Sequence, residues 1–384
     1  MRKRARIGNL LGIMCVCLSA SPFLLAQEET LGQDILFWSP QQQIIGYRGI
    51  DDLFPTREIK RGTYAYPLLP DHRDFSEFRY RHDGNRLSID DYIRSMNVAG
   101  LVAIKNDRIL LERYALGNDE NSRWISFSVA KSVVSMLIGA ALKDGYFNSV
   151  DDLIVDYLPQ LKGGGYDTIT VKNILQMASG VAWNEDYADA NSDVAVAPGG
   201  TLPLFGYMRG LPLEATPGEK FNYNTGETNI AGALLRAAIG NNLATYLQRK
   251  IWQPFGMESA ASWLLEEENG VEFGGCCINA TLRDYARIGL FAMHGGVLPN
   301  GQTVLPDGWM ADSTTSSAGY DGYGYYWWLL GDGVYAALGV FGQIIWIDPS
   351  RDIVIVLHSA WPNAGDSTLR EHRTAFIEAL AADL

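Results

Sequence analysis

The chain has 384 residues, 47% of them hydrophobic and 20% charged, with a formal net charge of −13 at pH 7. That length allows two interlocked domains, and the apolar share excludes a disordered chain. The acidic balance excludes a nucleic-acid partner, because a phosphate backbone would be repelled.

Arg2, Lys3, Arg4 and Arg6 precede an apolar stretch from position 7 to 26, the order of charge and hydrophobicity found in an export signal. We therefore expect residues 1–26 to be a signal and the protein to be periplasmic or secreted. Cleavage after Ala26 and retention as a membrane anchor both stay open, because Leu24 is larger than the small residue preferred there. No other stretch could span a membrane, so membrane contact would run only through this segment. Its removal takes four positive charges and no negative ones, leaving −17. It also takes Cys15 and Cys17, so that only the adjacent Cys276 and Cys277 remain. Neighbouring cysteines rarely bond to each other, and this pair reads as small buried residues rather than as a disulfide framework.

Residues 27–85 mix aromatics, prolines and charges without clear periodicity and read as an arm on the main body. Runs 101–105 and 108–114, joined by Asn106-Asp107, read as a hairpin. The block 151–274 carries mostly helical signals, with helices expected at 170–177 and 228–239. Within it, 184–212 is rich in Asp, Asn, Ala, Gly and Pro and reads as a mobile loop near a site. Beyond 275 a helix is expected at 281–293, strands at 335–338, 343–347 and 353–358, and a last helix at 367–382. Strands at both ends with helices between them predict an α/β (α+β) protein: one antiparallel sheet built from 86–150 and 275–384, flanked by helices and interrupted by the helical domain 151–274.

The chemistry concentrates in Ser128-Val129-Ala130-Lys131, where Lys131 is the only charge between Arg123 and Lys143. From 129 to 142 apolar residues cover nearly every side of a helix, so the helix should be buried and an ammonium on it costly. A spacing of three puts Ser128 and Lys131 on one face. Burial lowers a lysine's pKa, and a neutral amine beside a serine hydroxyl can take its proton. The bland alternative is a helix serine beside a lysine snorkelling to the surface. Farther on, a Gly- and Asn-rich turn at 217–226 holds Tyr223, a candidate proton carrier or a structural turn residue. Trp327 and Trp328 read as core or as binding wall. The five histidines (72, 82, 294, 358 and 372) show no metal-ligand spacing, and no Gly-x-Ser-x-Gly elbow exists for a Ser-His-Asp hydrolase. No metal or other cofactor is expected, and His358 reads as structural.

The Ser-x-x-Lys segment after Trp124 and Phe127, followed by the Tyr223 turn, resembles the serine β-lactamase and penicillin-recognising superfamily over roughly residues 85–384. Stretches 170–180 and 283–289 match in the expected order. Gly339-Val340-Phe341-Gly342-Gln343, running into Ile344 to Pro349, is similar to the class C β-lactamase-related branch, in particular its 6-aminohexanoate-dimer hydrolases and carboxylesterases. The resemblance implies a β-lactamase/transpeptidase-like fold and a small amide or ester substrate cleaved through an acyl-enzyme. It implies Ser128 as nucleophile, with Lys131 and Tyr223 as a hydrogen-bonded pair that moves the proton, and the backbone N–H groups of Ser128 and Val340 as the oxyanion hole. Two departures bear on substrate. Thr225 stands where the β-lactamase tyrosine motif has asparagine, and Ala337-Leu338-Gly339 stands where Lys-Thr-Gly is usual. That lysine helps bind the substrate carboxylate in β-lactamases, so strong β-lactamase activity is not expected. Tyr187 resembles a loop tyrosine that closes over substrate, and Trp328 and Thr225 are the other candidate substrate contacts. The competing expectations are a penicillin-binding or D-amino-acid peptidase acting on peptidoglycan fragments, and an inactive binding module of the same fold.

Overall fold

A computed structural model describes residues 35–317 and 319–384; the expected signal, 1–26, lies outside them. Its framework is a seven-stranded sheet in the order Trp328–Gly331, Val334–Leu338, Ile344–Asp348, Ile353–Ser359, Val98–Lys105, Arg108–Tyr114 and Leu69–Pro70. All neighbours are antiparallel except the last pair. The two ends of the chain meet where Val356 lies opposite Val102. Asn106 and Asp107 both take positive φ, 49° and 59°, the mirror-image turn whose twist matches a right-twisted hairpin.

Side chains alternate across this sheet and feed two cores. Val102, Ile104, Ile345 and Val354 point toward the helix Val129–Lys143 and the helical block. Leu101, Ala103, Ile344 and Ile355 join the core on the opposite face, with Phe376 and Leu380 of the C-terminal helix Ser367–Asp383. Every residue from Val129 to Ala141 is buried, which explains why that helix is apolar all round. At Gly139 a Cβ would stand 2.5 Å from the Trp309 ring, so the close approach needs glycine. Among the described residues no helix is long and apolar enough to cross a membrane.

Three features differ from the sequence reading. Within the expected arm, Thr56–Ile59 pairs with Ala261–Leu264, which belongs to a second sheet with Ile278–Thr281 and Arg123–Ile125. The block 151–274 is therefore not helical throughout. Strands of three or four residues are too short for a two-residue period to stand out. Inside the segment read as a loop, Thr201–Gly210 is a helix that buries Leu204, Phe205 and Met208. Its Pro203 falls in the first turn, where a missing N–H costs no intrahelical bond. Finally, Cys276 and Cys277 lie with their sulfurs against each other across a cis peptide bond.

Candidate active site

The strand Arg123–Ile125 delivers the chain to Ser128 through a tight turn. Ser126 N–H donates to the Ile278 carbonyl at 2.8 Å, and the Ser126 hydroxyl donates to the Phe127 carbonyl at 2.9 Å. Phe127 is held at φ 45°, a conformation that costs a non-glycine residue about 1–3 kcal/mol and persists only when its surroundings enforce it. Here the enforcement is aromatic: its ring centroid lies 5.0 Å from that of Tyr47 and 4.9 Å from that of Phe341. Ser128, half-buried, then starts the helix and faces an open cleft.

Lys131, one turn on, is 1% exposed. Its Nζ lies 2.9 Å from Ser128 Oγ and 2.9 Å from the Gly275 carbonyl oxygen. No carboxylate forms an ion pair with it among the described residues, so two neutral oxygens are all that replace its lost water directly. Burial lowers its pKa to about 8, while the more distant Glu185 carboxylate pulls the other way. An amine poised there is a base near neutral pH.

The structure corrects one expectation: no hydrogen bond joins Lys131 to the Tyr223 oxygen. Instead Nζ sits over the Tyr223 ring, 5.3 Å from its centroid, a cation–π contact when the amine is charged. Burial, reinforced by the Glu185 carboxylate, pushes the Tyr223 phenol well above its ordinary pKa, with Ser128 acting in the opposite direction. Tyr223 is therefore a neutral hydroxyl at working pH and offers a proton rather than a phenolate.

The backbone N–H groups of Ser128 and Val340 have no partner among the described residues, and both residues line the cleft. Their neighbours are pinned: Gly339 N–H donates to the Gln343 carbonyl at 2.8 Å, and Phe341 N–H to Gln343 Oε1 at 3.2 Å. A Cβ at Gly339 would stand 2.5 Å from Gln343 Oε1 and 2.7 Å from the Ser126 carbonyl oxygen. That close approach presses the Val340 turn against the nucleophile turn, so that two residues with unpaired N–H groups line one cleft, and such donors are what a developing oxyanion needs.

The cleft has a volume of about 730 Å³ and is walled by Tyr187, Tyr223 and Trp328. Trp328 stacks on Tyr223 with centroids 5.6 Å apart, whereas Trp327 is wholly buried, so the tryptophan pair divides between wall and core. Thr225 is not in the wall. Its N–H and its hydroxyl both donate to Glu185, which also receives the Tyr187 hydroxyl and Trp183 Nε1. Glu185 is thus the residue the sequence reading missed: it fixes Tyr187 and lines the cleft itself. His358 is buried in its strand, its pKa lowered to about 3 by burial, and lies outside the cleft.

Residues 89–379 match the model of the beta-lactamase family. The chain belongs to that family. It is a serine hydrolase, and its fold is the β-lactamase/transpeptidase-like one. It is 26% identical over 340 residues to the 6-aminohexanoate-dimer hydrolase of Paenarthrobacter ureafaciens, covering 82% of this chain and 84% of that one. In fold it resembles a Bacillus anthracis protein provisionally named a 6-aminohexanoate-dimer hydrolase, with a TM-score of 0.78, 21% identity and coverage of 88% and 94% of the two chains. A class C beta-lactamase shares the fold at a TM-score of 0.57 and 16% identity, over 76% of this chain and 93% of the other. In this family member Ala337 is 1% exposed and packs in the core on the side of the Ser128 helix, where it leaves the cleft without a lysine.

The electrostatics give a pH dependence. With Lys131 as base, kcat/KM should rise with pH through an acid limb centred near pH 8, because the amine acts only after losing its proton. Glu185→Gln keeps an acceptor for Tyr187 and Thr225 but removes the charge that holds the Lys131 proton. The limb should then move to lower pH. A pH–rate profile on a neutral ester measures both, and a limb that stays put or moves upward would exclude the coupling.

Proposed function

We propose that the protein is an exported hydrolase that cleaves a small linear amide or ester through an acyl-enzyme on Ser128. The observation that carries this reading is the buried Lys131 amine 2.9 Å from Ser128 Oγ. The neutral amine removes the Ser128 proton as Oγ bonds to the substrate carbonyl carbon, and the carbonyl oxygen takes the charge between the N–H groups of Ser128 and Val340. Collapse of the tetrahedral species expels the amine or alcohol, which takes its proton from Lys131 or from the Tyr223 hydroxyl. Water, deprotonated by the same amine, then releases the acyl group as a carboxylic acid.

Linear amides are favoured by the Paenarthrobacter relative, whose name gives an aminohexanoate dimer as its substrate. Ala337 argues against β-lactams, since the cleft holds no ammonium at that position for their carboxylate. Tyr187 and Trp328 are assigned to substrate contact, Tyr187 through a hydroxyl tethered to Glu185. The basic residues ahead of the apolar stretch 7–26 support export. A panel of esters, linear amides, D-amino-acid peptides and β-lactams tests the reading. Esters or linear amides should exceed β-lactams in kcat/KM by about a hundredfold or more, the scale set by unpaired polar groups in a mismatched site. Stable acylation by penicillin with no turnover of linear amides would transfer the protein to the peptidoglycan peptidases.

A further inference from the structure

The cleft does not end at the nucleophile. It continues past Val340 into a groove between the C-terminal helix and the outer strands of the large sheet, lined by Ile344, Trp346, Trp361 and Ile377. One charge in that groove has no explanation in the catalytic chemistry. Arg373 is 5% exposed, lines the groove, and makes no hydrogen bond or ion pair among the described residues. Its guanidinium lies over the Trp361 ring, 5.0 Å from the centroid. Burial lowers its pKa to about 10, so it stays charged at neutral pH.

A guanidinium with this little access to water and no anion is costly, and side chains in that state are normally paired. Arg351, at the other side of the groove, shows the ordinary arrangement: its Nε donates to Asp348 at 2.6 Å and its Nη1 to the Ala381 carbonyl at 2.8 Å. Arg370, one turn before Arg373 and exposed, donates only to the Gly365 carbonyl and adds a second positive charge without a carboxylate. Glu378 lines the same groove but is exposed and pairs with neither arginine. The groove thus sets apolar side chains around two arginines without a carboxylate partner, with Glu378 at its exposed rim, although the whole chain carries −13.

We propose that this groove is a subsite for the distal part of the substrate, an extended apolar chain ending in a carboxylate, and that Arg373 binds the carboxylate while Trp361 holds the guanidinium in plane. The proposal rests on the acyl-enzyme reading above and narrows it to anionic linear amides and esters. Arg suits the task because its planar fork donates two parallel hydrogen bonds to a carboxylate. The cation–π contact with Trp361 restrains the fork before binding, which saves ordering cost.

The test compares free acids with their own methyl esters. Two series of linear substrates of increasing length carry the terminal carboxylate on the acyl side or on the leaving-group side of the scissile bond. In the wild type, one series should show a preference for the acid over its methyl ester, expressed mainly in KM and peaking at one chain length. Arg373→Met should cut that acid-to-ester ratio about tenfold to a hundredfold, as loss of a charge-assisted bidentate contact would. Arg373→Lys should restore part of it, which a merely structural role for the arginine would not produce. Melting temperatures of both variants show whether they fold, and the wild-type comparison stands if they do not. No acid preference in either wild-type series, or a preference that survives Arg373→Met undiminished, overturns the subsite. Failure to hydrolyse any member, neutral esters included, would instead overturn the acyl-enzyme reading.

Discussion

Ser128→Ala is expected to lower kcat on a simple chromogenic ester by about a million-fold, to the level left by binding and the oxyanion donors alone. The size follows from the site's construction. The hydroxyl proposed to form the acyl bond is the one beside the Lys131 amine, and among the described residues no other serine lines the cleft. The substitution removes one partly exposed oxygen and leaves the apolar helix intact, so the variant should melt within about 1 kcal/mol of the wild type. Steady-state kinetics with a thermal melt on the same preparation checks both. Retention of more than a few per cent of the rate would mean that another group carries the attack.

Lys131→Met separates catalysis from stability. Methionine nearly fills the lysine's volume in an apolar helix, so activity should fall by about a thousandfold or more with loss of the general base. Stability should hold or rise. In the folded protein burial lowers the lysine's pKa from its ordinary 10.5 to about 8, so the fold disfavours the charged form. That penalty is complete below about pH 8 and fades as pH rises to the unfolded value. The variant's advantage in melting temperature should therefore be largest at neutral pH and shrink on going to about pH 10. A variant that is inactive and also much less stable at pH 7 would show that Lys131 is a structural cation instead.

What the sequence disclosed, and what it concealed, follows from how each signal is made. Lys131 stood out because a single charge interrupts an otherwise apolar helix, and its burial matches that pattern. The large sheet was legible because both hairpins carry continuous apolar runs of five or more residues, one on each side of the contact between Val102 and Val356. The second sheet was not, because its strands are too short to show a period and its two outer strands pair with partners more than a hundred residues away. Glu185 gave no signal of its own: an acidic residue in a polar loop becomes notable only when Thr225, 40 positions away, folds back onto it. The expected bond between Lys131 and the Tyr223 oxygen failed for a geometric reason, since the amine's hydrogen bonds go to Ser128 and Gly275 while the tyrosine presents its ring. Arg373 did carry a readable signal. It shares a helical face with Leu369, Phe376 and Leu380, the same intrusion of charge into an apolar stripe, but Arg370, Glu371 and His372 beside it hide the break.

The central claim is that an acyl group is carried on Ser128, activated by Lys131. Intact-protein mass spectrometry after exposure to a fluorophosphonate, followed by peptide mapping, tests it most directly. The account predicts one adduct per chain, located on Ser128, absent from Ser128→Ala and formed at least about a hundredfold more slowly by Lys131→Met. An adduct on another residue, or labelling of Ser128 that proceeds at the wild-type rate without Lys131, would contradict it.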